Sequence, residues 1–236
     1  MTHRLADTTW PDAATRRVLV VPVGSVEQHG PHLPLDTDTR IAQAVADGVG
    51  RRLGGVGHPV WVAPALSFGS SGEHQSFPGT VSIGTEVLHQ VVVELVRSAR
   101  TWADRVVLIN GHGGNAQALT RAVAQLDAES HDVCWLPCRT EGVDLHAGRT
   151  ETSLLLHLAP ESVRLERAEP GDTRPLREIL PAMIAGGVAA VSANGILGDP
   201  TGASAAEGAE VLDSMVAELS AELLHHRAPA ATGQTR

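Results

Sequence analysis

The stretch from residue 18 to residue 39 most constrains what this chain can fold into. An apolar run, VLVVPV, stops at Gly24, and the residues that follow carry ligand-type side chains: Glu27, His29, His32, Asp36 and Asp38. A short buried strand that ends in a glycine turn is typical of parallel α/β proteins, which hold ligands beyond the carboxyl ends of their strands. The stretch therefore predicts one part of a metal site, with later stretches supplying the rest.

Apolar runs and helical patterns alternate along the chain. The apolar runs predict strands at about 17–23, 59–66, 105–110 and 133–136. Amphipathic spacing predicts helices at about 36–53, 85–103, 115–128, 149–159, 175–190 and 203–225. This alternation predicts an α/β fold with a mostly parallel sheet covered on both sides. Neither a linker nor a repeat interrupts the pattern, so we predict a single domain over 1–236 with a core of about 17–226.

Composition argues against a disordered chain and a nucleic-acid-binding protein, and it favours a metal site. Hydrophobic residues make up 42% of the 236 residues, which is ordinary for a globular chain and argues against general disorder. The net charge of −9 argues against a nucleic-acid partner, because such a protein needs a basic surface for phosphates. The 12 histidines are many for this length, and histidine is the commonest transition-metal ligand.

Two observations concern the cellular compartment. Cys134 and Cys138 lie four residues apart in an extended run, where a disulfide is geometrically poor, so we expect reduced thiols. The chain opens with no basic-then-apolar leader, and no apolar run approaches the length of a membrane helix. We therefore predict a cytoplasmic protein with no signal peptide, no membrane span and no membrane partner.

Five ligand-type side chains follow predicted strands or open predicted helices, where a parallel sheet gathers them at one edge. They are Glu27, His29, Asp38, His112 and Glu151. Glu27 and His29 are two residues apart, so they point the same way if the chain is extended there. Two histidines and three carboxylates suit Zn²⁺, Fe²⁺ or Mn²⁺, and five ligands exceed what one catalytic zinc ion takes. We predict a two-metal centre bridged by Asp38.

Less specific interpretations of these residues remain open. A histidine in a glycine turn, such as His112 in GHGGN, is more often a loop or capping residue than a ligand. Asp36 and Thr37 are predicted to cap the helix that follows them. His32 and His58 are interpreted as surface histidines. A dinucleotide-binding site is disfavoured, because GHGGN lacks the spacing of the glycine fingerprint.

Four stretches together resemble the creatininase family of metal-dependent amidohydrolases: VPVGSVEQHGPHLPLDTD, GEHQSFPGT, NGHGGN and HAGRTETS. The resemblance runs from about residue 18 to GILGDPTGAS near residue 200. It implies a three-layer α/β/α fold, a two-metal centre and hydrolysis of non-peptide or unusual amide bonds. It also implies metal ligation by Glu27, His29, Asp38 and His112, with His146 as the catalytic histidine.

One position departs from the pattern of creatininase itself. The resemblance implies that creatininase carries a glutamate two residues after the turn histidine. Here that place is Gly114. The departure disfavours creatinine as the substrate. By similarity to the NGHGGN branch of the family, the part of the missing carboxylate is assigned to Glu151.

Two further stretches, LADTTWPD and SSGEHQSFPGTVSIG, resemble one branch of the family in particular. That branch consists of peptidases that remove a C-terminal Val-Tyr dipeptide from a modified precursor peptide.

The family resemblance also implies a ring-like homo-oligomer, a hexamer or similar. Ser71 and His74 in the long loop are candidates for substrate binding, and ordinary loop hydrogen bonding is an equal alternative for both. The alternative functions are a small-molecule amidohydrolase acting on a formamide or cyclic amide, and a non-catalytic metal-binding scaffold subunit.

Overall fold

The sheet has four strands in the order β2-β1-β3-β4, and every neighbouring pair is parallel. The computed structural model describes residues 3–15, 18–139 and 144–225. Its strands are β1 (Val18–Val23), β2 (Trp61–Val62), β3 (Arg105–Asn110) and β4 (Val133–Pro137). The predicted α/β fold with a mostly parallel sheet is confirmed. Arg17, predicted to open the first strand, lies outside the described residues.

Helices cover both faces of this sheet. They are α1 (Trp10–Ala13), α2 (Thr37–Gly55), α3 (Thr85–Ala99), α4 (Ala116–Ala128), α5 (Arg149–Leu158), α6 (Leu176–Gly186) and α7 (Ala205–His225). Helices α2, α5 and α7 pack together on one face, and α3 packs with α4 on the other. This arrangement confirms the three-layer α/β/α architecture.

The two central strands alternate between two hydrophobic cores. Val20 of β1 and Val107 of β3 face the core beneath α2, α5 and α7, whereas Val21 and Leu108 face the core beneath α3 and α4. All four side chains are fully buried. Coverage on both faces explains why these strands are continuously apolar rather than alternating between apolar and polar residues.

The second strand is shorter than predicted. A strand was expected over 59–66, but β2 contains only Trp61 and Val62. The N–H of Ala63 still donates to the carbonyl of Val20. In a parallel ladder the next bond would come from the N–H of residue 22, which is missing because residue 22 is proline. The chain then rejoins β1 through a single bridge between Val23 and Leu66.

One other predicted boundary was wrong, and so were the capping bonds predicted at the start of α2. The helix expected over 175–190 breaks at Gly187, whose φ of 71° lies in the left-handed region, and only a 3-10 turn (Val188–Ala190) follows it. Asp36 precedes α2 but makes no capping hydrogen bond, because its carboxylate accepts a bond from Arg40 at 2.8 Å. The hydroxyl of Thr37 donates instead to the carbonyl of Pro34.

The N-terminal arm packs against the edge of the sheet. The N–H of Val62 donates to the carbonyl of His3 at 2.7 Å, and Arg4 forms a bridge beside β2. Asp47 on α2 accepts hydrogen bonds from the His3 ring at 2.9 Å and from the Arg4 guanidinium at 2.6 Å. Among the described helices, none combines the length and apolar character that crossing a membrane requires.

Candidate metal centre

The carboxyl ends of β1 and β3 deliver the first ligand-type side chains. The two strands pair in register up to Val23 and Asn110, so the loops that follow them leave the sheet side by side. The first loop carries Glu27 and His29, and the second carries His112. Asp38 joins them from the first turn of α2.

Glu27 is the most informative residue of the cluster. Its side chain is 0% exposed, and neither carboxylate oxygen has a hydrogen-bond partner. Its neighbours are histidine nitrogens: Nε2 of His112 lies 3.1 Å from Oε2, and Nε2 of His74 lies 3.3 Å from Oε1. A buried carboxylate without hydrogen bonds is costly unless a cation compensates it. This donor set therefore fits a bound metal ion.

Asp38 lies between two histidines. Its Oδ1 is 3.0 Å from Nε2 of His29, and its Oδ2 is 3.3 Å from Nδ1 of His112. The hydroxyl of Ser25 donates to Oδ2 at 2.6 Å and fixes the carboxylate. Each oxygen of Asp38 thus faces a different histidine, which is the geometry that a bridging carboxylate needs.

The described residues contain three overlapping groups whose potential ligand atoms lie within 4.8 Å of one another. They are Glu27 with Asp38 and His112, His29 with His146 and Glu151, and Glu27 with His74 and His146. The first two groups use different side chains and adjoin at Asp38. The arrangement has the chemical make-up of a two-metal centre, and His146 is itself within reach of a metal position.

Glu151 and His146 reach the cluster from the start of α5 and the segment before it. Oε2 of Glu151 lies 3.7 Å from Nε2 of His29 and accepts a hydrogen bond from the N–H of Ala147 at 2.7 Å. Ala147 adopts a φ of 52°, which is unusual for a residue other than glycine and turns its N–H toward that carboxylate. His146 pairs with Leu197 through two backbone hydrogen bonds.

Burial and the neighbouring charges together set the electrostatics of the cluster. Burial alone would lower the pKa of His29, but Asp38 and Glu151 outweigh it and raise that pKa to about 10. Burial, opposed by His29, raises the pKa of Glu151 to about 7. Burial and the neighbouring His29 hold the pKa of His146 well below its usual range. A proton and a metal ion compete for the same histidine lone pair, so a field that retains a proton on His29 also favours a cation.

Gln28 is a member of the site that the sequence analysis missed. Its Nε2 lies 2.8 Å from Nδ1 of His74 and 3.0 Å from Nε2 of His146, and it donates to the carbonyl of Gly195 at 3.0 Å. The amide nitrogen has two protons, so besides the bond to Gly195 it donates to one ring, and the nearer one is that of His74. Its place between Glu27 and His29 was the available signal, although neutral amides are not counted in a search for metal ligands.

Ser71 and His74 lie deeper than their predicted role in substrate binding requires. The hydroxyl of Ser71 is 3.4 Å from Nε2 of His112, and the ring of His74 stacks 4.5 Å from that of His146. Both side chains are buried, and neither lines the adjoining cavity. Their contacts are with metal-ligand candidates, and their role in substrate binding stays a prediction.

Glu73 was also missed by the sequence analysis. Its carboxylate lies next to Gly114, the position at which creatininase carries a glutamate. Its Oε1 lies 3.6 Å from Nε2 of His112. A Cβ on Gly114 would lie 2.5 Å from that same oxygen. A carboxylate from the long loop therefore occupies the space that a side chain at position 114 would enter.

His32 was wrongly interpreted as a surface histidine. It is 0% exposed, and its Nε2 is 2.9 Å from the hydroxyl of Thr152 on α5. Burial and the nearby His29 lower the pKa of His32 to about 4. It thus packs behind the cluster as a neutral histidine, whereas His58 is exposed as expected.

A cavity of about 1070 Å³ opens onto the cluster. Its wall includes Asp38, His112, His146 and Glu151, and it extends along the end of β4 to α7. Cavities of this size accommodate ligands as large as a peptide segment. Cys138 lies in the same wall, and it and Cys134 are free thiols, as predicted.

The fold and the centre define a class of protein: α/β/α proteins with a candidate two-metal site of buried histidines and carboxylates at the carboxyl edge of a parallel sheet. A family model named Creatininase and described as creatinine amidohydrolase matches residues 6–223. The chain therefore belongs to the creatininase family.

Relatives place the chain more narrowly within that family. It is 57% identical over 208 residues to the mycofactocin precursor peptide peptidase of Mycobacterium tuberculosis, covering 86% of this chain and 83% of that protein. It is 30% identical over 214 residues to the creatinine amidohydrolase of Pseudomonas putida, covering 75% of this chain and 80% of that protein. A mutant creatininase described as "Zn-Zn type" has a TM-score of 0.79 and 28% identity, covering 97% of this chain and all of that one.

Proposed function

We propose that this chain is a metal-dependent peptidase that acts on the modified precursor peptide of mycofactocin and removes its C-terminal Val-Tyr dipeptide. The observation that carries the proposal is the fully buried Glu27 carboxylate, which has no hydrogen-bond partner and stands among histidines beside a peptide-sized cavity. The identity of 57% to the Mycobacterium tuberculosis peptidase supports the choice of substrate.

The proposed cofactor is a pair of divalent cations, Zn²⁺, Fe²⁺ or Mn²⁺. The proposed ligands are Glu27, His29, Asp38, His112 and Glu151, with Asp38 as the bridge. Solved structures of related creatininases are described as a Zn-Zn type and as an Mn form, which supports this choice of metals. When bound, such cations act as Lewis acids that acidify water and polarise an amide carbonyl.

His146 is proposed to donate a proton to the leaving nitrogen, because an amine anion does not leave unaided. Its Nε2 lies 2.9 Å from the carbonyl of Gln28, so a proton on Nε2 donates to that oxygen. Nδ1 then faces the cluster, 3.8 Å from Oε1 of Glu27, so it would accept the proton released by the attacking water and pass it to the leaving nitrogen. The carbonyl of Gln28 and the backbone bridge to Leu197 hold the ring in this orientation.

Three further expectations belong to the proposal. The chain forms a single domain, assembles as a ring-like homo-oligomer and acts in the cytoplasm. Gel filtration with light scattering tests the assembly, because a hexamer and a monomer differ sixfold in mass.

The proposal is tested by incubating the metal-loaded protein with the modified precursor peptide and following the products by mass spectrometry. We expect the substrate to lose the mass of Val-Tyr and the free dipeptide to accumulate. Elemental analysis of the same sample establishes that both metal positions are filled. A fully loaded protein that leaves the peptide intact would refute the proposed substrate.

A small-molecule amidohydrolase is the second candidate, favoured by the identity of 30% to the Pseudomonas putida creatinine amidohydrolase. Turnover of creatinine or a formamide in place of the peptide would support it. Absence of turnover of either substrate class by the loaded protein would support the third candidate, a non-catalytic metal-binding scaffold subunit.

A further inference from the structure

The cavity beside the metal centre has an uneven distribution of charge. Its wall carries five carboxylate side chains: Asp38, Asp144, Glu151, Glu218 and Glu222. The chain contains no lysine, and Arg139 is the one arginine among the described residues of this wall. Among the described residues of the wall, permanent positive charge is therefore confined to Arg139.

Arg139 also has no side-chain partner among the residues that the structure describes. Most described arginines pair with a carboxylate, as Arg4 does with Asp47 and Arg149 with Glu207. Arg139 forms no ion pair or side-chain hydrogen bond with any described residue, although two glutamates of α7 line the same cavity. A guanidinium offers five donors in a planar fork that matches a carboxylate in bidentate geometry.

The position of Arg139 relative to the metal centre follows from the sheet register. Asn110 of β3 pairs with Pro137 of β4, and the N–H of Cys138 donates to the carbonyl of Asn110 at 2.8 Å. His112 and Arg139 each lie two residues beyond that pair, at the ends of neighbouring strands. Neighbouring strands are about 4.8 Å apart, and the two extended residues of the released dipeptide span about 7 Å. If the bond cleaved lies at the metal centre, the carboxylate at the end of that dipeptide is therefore within reach of the Arg139 side chain.

The remaining lining of the cavity suits the substrate residues that would lie between the metal centre and Arg139. Trp135, Leu145 and Met215 contribute apolar surface to the cavity wall, and Leu145 is 42% exposed. In ligand sites, apolar side chains take up the apolar parts of the ligand and polar groups fix its orientation. Such walls suit the valine and tyrosine side chains of the released dipeptide.

We propose that Arg139 binds the α-carboxylate at the C terminus of the peptide substrate and so sets the cleaved bond two residues from the chain end. This inference rests on the proposed peptidase function. It accounts for how an acidic cavity would accept the end of a peptide chain, since the one arginine among the described residues of the wall pairs with the negative charge of that end.

The test compares two forms of the modified precursor peptide that differ only at the last residue, a free carboxylate or a carboxamide. Each is given to the metal-loaded wild type and to Arg139→Gln and Arg139→Lys, with Arg51→Gln as the matched control. Arg51 is an exposed arginine of α2 outside the cavity wall. Metal content is measured for every variant, so that loss of the centre is separated from loss of peptide binding.

In the wild type we expect kcat/KM for the carboxamide to be about 10- to 100-fold lower than for the carboxylate, the usual effect of one charge-assisted hydrogen-bonded pair. Arg139→Gln should lose a similar factor on the carboxylate peptide and little more on the carboxamide, because both changes remove the same interaction. Arg139→Lys should recover part of the loss, and Arg51→Gln should match the wild type.

Two results would overturn the inference while leaving the proposed function intact. In one, Arg139→Gln cleaves the carboxylate peptide as well as the wild type does. In the other, it loses the same factor on both peptides, which indicates a general structural role. If the metal-loaded wild type releases no dipeptide from either peptide, the proposed function itself fails and the inference fails with it.

Discussion

Glu73 and Gly114 share one small space beside His112. The Glu73 carboxylate lies 3.6 Å from the His112 ring, and a Cβ on Gly114 would lie 2.5 Å from Oε1 of Glu73. It would also meet the His112 ring and the backbone oxygen of Ser70. Gly114 is thus required for space and not for an unusual φ. The chain has no side chain at this turn position and presents the carboxylate of Glu73 from another loop.

Replacing Gly114 with alanine should disturb the metal centre. The added methyl group displaces His112 or Glu73, because the backbone of Ser70 blocks the third direction. We expect a loss of about 1–3 kcal/mol in the free energy of unfolding, together with reduced metal content. Urea unfolding and elemental analysis measure the two effects. Gly113→Ala is the matched control, since a Cβ there meets no atom within 4 Å and should be tolerated.

Replacing His29 with alanine should remove bound metal and activity together. The His29 ring lies 3.0 Å from Asp38 and 3.7 Å from Glu151, so its loss leaves two carboxylates facing each other without their histidine. We expect metal affinity to fall by about 100-fold or more. His58→Ala, at an exposed histidine, should leave metal content unchanged. Full occupancy in the His29 variant would exclude its role as a ligand.

Replacing His146 with alanine should separate catalysis from metal binding. If His146 serves as the general acid, the variant keeps its metals and turnover falls by about 10²–10⁴-fold. Metal content and kcat measured on one preparation distinguish this outcome from loss of a ligand, which the position of His146 among ligand-type side chains also permits. Retention of both metals with near wild-type turnover would contradict both roles.

Removing the metals with a chelator should destabilise the protein. Glu27, Asp38 and Glu151 then keep only the neighbouring histidines, such as His29, as counter-charges at the centre. Bound ions present at 100–1,000 times their Kd stabilise the folded state by about 3–4 kcal/mol, which corresponds to a fall in Tm of roughly 5–15 °C on their removal. Calorimetry before and after chelation measures the change, and re-addition of Zn²⁺ or Mn²⁺ should restore it. A Tm that is unaffected by chelation would contradict a resident metal centre.

Asp47 should give the N-terminal arm a pH-dependent stability. Burial alone would raise the pKa of Asp47, but hydrogen bonds from Arg4 and His3 outweigh it and lower that pKa. A folded-state pKa below the unfolded value contributes stability that is present above the unfolded pKa, about 3.9, and lost as the pH falls through the folded pKa. Wild type and Asp47→Asn should therefore differ in urea midpoint at pH 6 and converge below about pH 4. An equal gap at both pH values would refute this.

The strongest sequence predictions were those fixed by local pattern. The run RVVLIN predicted β3 over its full length, because a strand buried on both faces must be apolar throughout. The length of the second strand was overestimated. The N–H that its ladder lacks is that of Pro22, which lies in β1, so nothing within 59–66 itself indicates the early end. His32 was assigned to the surface for a similar reason, as its partner Thr152 lies 120 residues away.

The sequence by itself determined the order of strands and helices, the parallel sheet and the set of ligand-type residues in the loops, because these follow from local periodicity and from side-chain chemistry. The tertiary structure decided how those residues meet. It placed the two oxygens of Asp38 against different histidines, brought Gln28 and Glu73 into the centre and placed Arg139 in the cavity wall without an ion pair to any described residue. Such contacts depend on strand register and on packing between distant segments, which no local pattern encodes.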